Sequence, residues 1–82
     1  MPIPLKVSLD LRGLKCPLPV LKTRAALRKL VPGAELEVLT SDPMAAIDIP
    51  NLLRQTGDGL LVQTGEPFGH RFLIRKASGQ QA

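Results

Sequence analysis

One side chain among these 82 residues can act as a strong nucleophile, the thiol of Cys16. It sits in the run Asp10-Leu11-Arg12-Gly13-Leu14-Lys15-Cys16-Pro17-Leu18-Pro19. The thiolate rather than the thiol attacks electrophiles, and its pKa falls at helix N-termini and beside basic groups. Pro17 suits the first position of a helix, where the missing N–H has no partner anyway. Cys16 is therefore expected at the mouth of a helix. Arg12 and Lys15 are close enough in sequence to add positive potential, and Asp10 opposes it if it points inward. Pro17 and Pro19 remove two of the amide donors that a helix start normally presents, so the dipole effect is weakened and rests on Leu18 and Val20. The prolines also fix the backbone on both sides of Leu18. A held sulfur at a rigid corner suits handover between proteins better than chemistry inside a pocket. Against this, a lone cysteine in a small cytosolic protein is often an inert, buried filler. The residues around Cys16 leave both readings open.

Size and composition narrow the chemistry further. A chain this short makes one domain, residues 1–82, and buries roughly 60–65% of its unfolded surface. That leaves little room for a deep pocket or a large cofactor, and no cofactor is expected. One cysteine permits no intramolecular disulfide. With one histidine, His70, no ordinary zinc site can be assembled from Cys and His alone, and no metal is expected. The N-terminus shows no basic region followed by a long apolar stretch, and no apolar run approaches membrane length. The expected compartment is the cytoplasm, where a lone thiol stays reduced. Eleven Lys and Arg against seven Asp and Glu give a net charge of +4. That balance favours acidic partners, either nucleic acid or the acidic face of a protein.

The elements that must hold Cys16 follow from periodicity. Leu5 to Leu9 alternates apolar and polar residues and reads as a strand. After a loop over Asp10 to Lys15, a helix is expected from Pro17 to about Val31. Val20, Thr23, Leu27, Leu30 and Val31 share one face, with Ala26 at its edge. Pro32-Gly33 ends it. Ala34 to Thr40 alternates again, with Leu36 and Val38 inward. Ser41-Asp42-Pro43 resembles an N-cap ahead of a second helix that ends at Gly57. Pro50 inside that helix predicts a kink, or a restart capped by Asp48. Leu60 to Thr64 and His70 to Lys76 read as a final hairpin across the turn-rich stretch 65–69, with Phe72 and Ile74 inward. The core spans about residues 5–76, and 77–82 reads as a frayed polar tail. The order βαβαββ implies an α/β two-layer sandwich, a mixed four-stranded sheet with two helices on one face.

The run from Asp10 to Pro19 resembles the signature of TusA-like (SirA-like) sulfur carriers: an Asp, often Arg-Gly, then Cys-Pro-x-Pro at the start of the first helix. Asp42-Pro43, Asp48-Ile49-Pro50 and Phe72-Leu73-Ile74-Arg75-Lys76 are also similar to that family. The resemblance covers about Val7 to Lys76. It implies that Cys16 accepts sulfur as a persulfide from a cysteine desulfurase or a rhodanese-like protein. It further implies that Cys16 passes the sulfur to the next protein of a relay. Such relays serve tRNA thiolation, molybdenum cofactor synthesis or sulfur oxidation. Some members carry a second cysteine in the second helix; the stretch Asn51 to Gln55 has none.

The supporting residues divide by role. Asp10 and Gly13 match the motif and suit a structural part, with Gly13 free to adopt a positive φ. Arg12 suits either structure or partner contact, while Pro17 and Pro19 fix the backbone. Lys15 and Lys22 are placed to guide an acidic partner toward Cys16. Lys29 suits the helix dipole, His70 is an ordinary strand residue, and Met44 is expected in the core. Arg71, Arg75 and Lys76 are expected on a solvated edge strand. A monomer is expected. Two other functions compete. A small basic nucleic-acid-binding or regulatory module would bind RNA or DNA in a salt-dependent way without needing Cys16. It lacks Tyr and Trp, and its two Phe form no stacking platform if Phe72 is core, so direct nucleic-acid binding is not expected. A thiol redox sensor would form a sulfenic acid or mixed disulfide with no sulfur transfer.

Overall fold

The structure, a computed structural model, describes residues 6–77. Leu5, expected to begin the first strand, and residues 78–82 of the expected tail lie outside the described residues. The element order is β1 (Lys6–Leu11), α1 (Leu18–Arg28), β2 (Glu35–Thr40), α2 (Ala45–Thr56), β3 (Gly59–Glu66) and β4 (Gly69–Arg75). The four strands form one sheet in the order β1-β2-β4-β3. β1 runs parallel to β2, while β4 is antiparallel to both β2 and β3. β1, β2 and β3 therefore share one direction. A helix that follows such a strand must run back against it, so α1 and α2 start side by side at the carboxyl edge of the sheet. That edge carries Cys16. Among the described residues no helix is long and apolar enough to cross a membrane.

The period of two along the strands creates the core. Leu36, Val38, Phe72 and Ile74 are fully buried on the helix-facing side and pack with Leu27, Ile49 and Leu53 of the two helices. Leu11, expected in a loop, extends β1 and closes the core at the carboxyl edge, 3% exposed. The opposite face carries the charges. Arg71 pairs with Glu37 at 2.6 Å and Arg75 with Glu35 at 3.1 Å. These arginines do not lie on an edge strand, because β4 sits between β2 and β3. The edges are β1 and β3.

Three further expectations change. Helix α1 ends at Arg28, not near Val31. Its last turn tightens as the amides of Lys29 and Leu30 bond the carbonyls of Ala26 and Leu27. Helix α2 runs unbroken through Pro50. Proline removes the amide that would bond the carbonyl of Ala46, and Gln63 Nε2 of β3 donates to that oxygen instead, at 3.3 Å. No restart at Asp48 is needed. Met44, expected in the core, is 46% exposed, because it stands at the solvent-facing start of α2.

The β3–β4 hairpin turns through Pro67-Phe68, with Glu66 paired to Gly69. Gly69 has φ 150°. A Cβ there would press on the carbonyl oxygen of Thr40 and lie 2.7 Å from Cα of Ser41. Only glycine lets the hairpin pack this close to the end of β2.

Candidate functional site

The loop from β1 to α1 is built from its own short-range bonds. Asp10 accepts Arg12 Nε at 2.9 Å, Arg12 Nη2 at 2.8 Å and the Arg12 amide at 3.1 Å. This fork holds the Asp10 carboxyl down to about 2. The Arg12 guanidinium lies over the ring of Phe68, 5.1 Å from its centre, and so ties the loop to the β3–β4 turn. Gly13 takes a positive φ of 89°, and its amide donates to Ser41 Oγ at 2.7 Å. Asp10, Arg12 and Gly13 thus form a brace, and the positive charge of Arg12 is spent on Asp10.

Cys16 follows that brace and is exposed. The Cys16–Pro17 peptide is cis. Pro17 occupies the N-cap position of α1 rather than its first turn, and Pro19 is buried inside the first turn. The Leu18 amide, expected to face the sulfur, instead donates to the carbonyl of Lys15 at 2.8 Å. One of the two donors on which the dipole effect rested is therefore taken.

The groups that do meet Cys16 come from the start of α2. Its amide donates to Asp42 Oδ2 at 2.6 Å, and Asp42 Oδ1 accepts the Met44 amide at 3.2 Å. Asp42 bridges the thiol loop and α2 in place of a conventional N-cap. The thiol donates to Asp48 Oδ2 at 3.5 Å. Lost hydration and the carboxylates of Asp48 and Asp42 raise the thiol above its ordinary range. The positive potential that Arg12, Lys15 and the helix start offered in the sequence does not set the direction.

Lys15 and Lys22 are exposed and form no ion pair among the described residues. Sequence reasoning missed Asp42 and Asp48 as contacts of Cys16. Both stood in segments noted for their family likeness, yet they were read as helix caps. Ser41 was missed in the same way. A cleft between the helices, with a volume near 230 Å³, is lined by Pro17, Val20 and Arg24 of the first helix region and by Asp48 and Asn51 of the second. Among the described residues no cluster of His, Cys, Asp and Glu is arranged to hold a metal ion.

Comparison with known proteins bears on the family and the fold. A family model described as "Sulfurtransferase TusA" matches residues 7–76, from β1 to just past β4. Among solved structures, a SirA-like protein from Desulfitobacterium hafniense superposes with a TM-score of 0.73. It shares 20% sequence identity, and the match covers 89% of this chain and 99% of that one. At that identity the likeness shows the fold. The family match extends through the thiol loop and both helices, and this chain belongs to the TusA family of sulfurtransferases, proteins that work with others in sulfur relays.

Proposed function

We propose that the chain carries sulfane sulfur as a persulfide on Cys16, taking it from one protein and giving it to another. The observation that carries this reading is an exposed thiol at a braced corner, where a second protein can reach it. In the loading step the Cys16 thiolate attacks the outer sulfur of a donor persulfide. A new S–S bond forms on Cys16, the donor's S–S bond breaks, and the donor thiol leaves with the electron pair and takes up a proton. In unloading, an acceptor thiolate attacks the outer sulfur on Cys16, and Cys16 leaves as the thiolate. No electrons are exchanged with an outside reagent, so the cycle needs no cofactor.

Asp10, Arg12 and Gly13 hold the loop, Pro17 and Pro19 fix the start of α1, and Lys15 and Lys22 attract the acidic rim of a partner. A cysteine desulfurase or a rhodanese-like protein fits as donor. The acceptor belongs to a relay for tRNA thiolation, molybdenum cofactor synthesis or sulfur oxidation. A monomer in a reducing compartment such as the cytoplasm suits a carrier that must keep one thiol free. The nucleic-acid reading gains nothing from the structure: Phe72 is fully buried and Phe68 is covered by Arg12.

The test is intact mass after incubation with cysteine and a cysteine desulfurase, or with thiosulfate and a rhodanese. The expected result is a gain of one sulfur atom that a reductant removes and that Cys16→Ala lacks. A freely alkylatable Cys16 that gains nothing from either donor would refute the carrier role.

A further inference from the structure

The electrostatics of Cys16 point to one more residue. Asp48 is the one carboxylate among the described residues whose oxygen reaches the sulfur, at 3.5 Å. Asp42 also lies close, but each of its oxygens already takes a backbone amide, from Cys16 and from Met44. Neither oxygen of Asp48 has another hydrogen-bond or ion-pair partner among the described residues. Asp48 also sits in the first turn of α2, where the helix dipole favours a negative charge.

The charged and titratable groups on every neighbouring element leave this contact uncompensated. On the thiol's own loop, Arg12 is committed to Asp10, and Lys15 is exposed. On α1, Arg24 lines the same cleft as Asp48 yet forms no ion pair with it. From the loop after β2 comes Asp42, a second negative charge. On β4, His70 packs beside Phe72 with ring centres 6.2 Å apart and makes no hydrogen bond to Cys16 or Asp48. A thiol donates to a carboxylate, whereas a thiolate at the same distance is repelled by it.

We propose that Asp48 is a positioning residue that keeps Cys16 a protonated, hydrogen-bonded thiol in the free protein, and that the sulfur becomes nucleophilic when a donor protein draws that carboxylate away. The functional meaning rests on the persulfide reading of Cys16. A donor that presents a lysine or arginine to Asp48 breaks the S–H···O contact. The proton then passes to solvent, and the thiolate attacks the donor's outer sulfur. The device restrains reaction with unintended disulfides and oxidants, because the free carrier offers little thiolate.

The test is the pH dependence of Cys16 alkylation by iodoacetamide in the full chain, compared for wild type, Asp48→Asn and Asp48→Glu. Alkylation forms a C–S bond, expels iodide and follows the thiolate fraction. Asp48→Asn should alkylate several-fold faster near neutral pH, with its profile moved to lower pH. Asp48→Glu, which keeps the charge, should stay close to wild type. If Asp48→Asn does not fold by circular dichroism, Asp48→Ser takes its place. A folded neutral variant whose profile superposes on wild type overturns the proposal. Sulfur loading of the same proteins, read by intact mass, separates the two ideas. Wild type that shows the Asp48-dependent profile but never gains sulfur sinks the carrier reading alone. Wild type that loads while the neutral variant keeps the wild-type profile sinks the role of Asp48 alone.

Discussion

The two helix starts lie side by side at one edge of the sheet and are built in opposite ways. The start of α1 carries the sulfur but few free donors, because Pro17 and Pro19 lack an amide hydrogen and the Leu18 amide is bonded to Lys15. The start of α2 carries no nucleophile, yet its two carboxylates, Asp42 and Asp48, grip the amide and the thiol of Cys16. A cysteine at a helix N-terminus is ordinarily read as activated by its own helix. Here the carboxylates of the neighbouring helix meet the sulfur and add to lost hydration in raising the thiol. The sulfur-bearing helix contributes shape, and the other contributes charge.

The largest expected effect comes from shifting the acid side against the thiol side. Gly69→Ala drives a Cβ into the Thr40–Ser41 backbone just before Asp42. It should cost about 2–3 kcal/mol of stability, the range for strain at a special backbone position, and urea denaturation will show it. An unchanged midpoint would mean that the hairpin does not fix the end of β2. Asp42→Ala removes the acceptor of two amides and should cost about 2 kcal/mol. Faster hydrogen exchange at the amides of Cys16 and Met44 should accompany it; unchanged protection there would detach the two helix starts from each other.

Smaller effects test the frame around them. Gln63→Ala leaves the Ala46 carbonyl without its protein partner and should cost about 0.5–1 kcal/mol, read by thermal melting. The Asp10–Arg12 brace gives the smallest effect, and it depends on pH. Asp10 is held down to about 2 against an ordinary 3.8, so its contribution is present above 3.8 and is lost as the pH falls toward 2. The melting temperature of wild type should exceed that of Asp10→Asn slightly at pH 6, and the gap should close as the pH falls through that window. A gap that persists at pH 2 would show that the brace acts through packing on Phe68 rather than through charge.

The features that the sequence displayed were local ones. Alternation in β2 and β4 placed Leu36, Val38, Phe72 and Ile74 correctly, since burial on a sheet face repeats every two residues. The motif around Cys16 located the thiol at a loop-to-helix junction. The features that stayed hidden depend on residues far apart in the chain. The Asp48–Cys16 contact joins positions 32 apart, and nothing in the period of α2 reveals which neighbour Asp48 meets. Pro50 left a restart at Asp48 open because the partner of the freed Ala46 carbonyl, Gln63, comes from another element. Arg71 and Arg75 were assigned to an edge because strand order follows from long-range pairing, which placed β4 inside the sheet opposite Glu35 and Glu37. Met44 followed the habit of apolar residues, but exposure was set by its place at the helix start.

As a carrier, Cys16 is proposed both to receive and to release sulfur. Its most direct test uses cysteine labelled with radioactive sulfur and a desulfurase to load the chain. The donor is then removed, and a second protein thiol is added as acceptor. The expected result is one reductant-labile label per chain, located on Cys16 and passed to the acceptor, with none on Cys16→Ala. Label that never reaches Cys16, or that enters Cys16 and cannot be moved by any acceptor thiol, would contradict it.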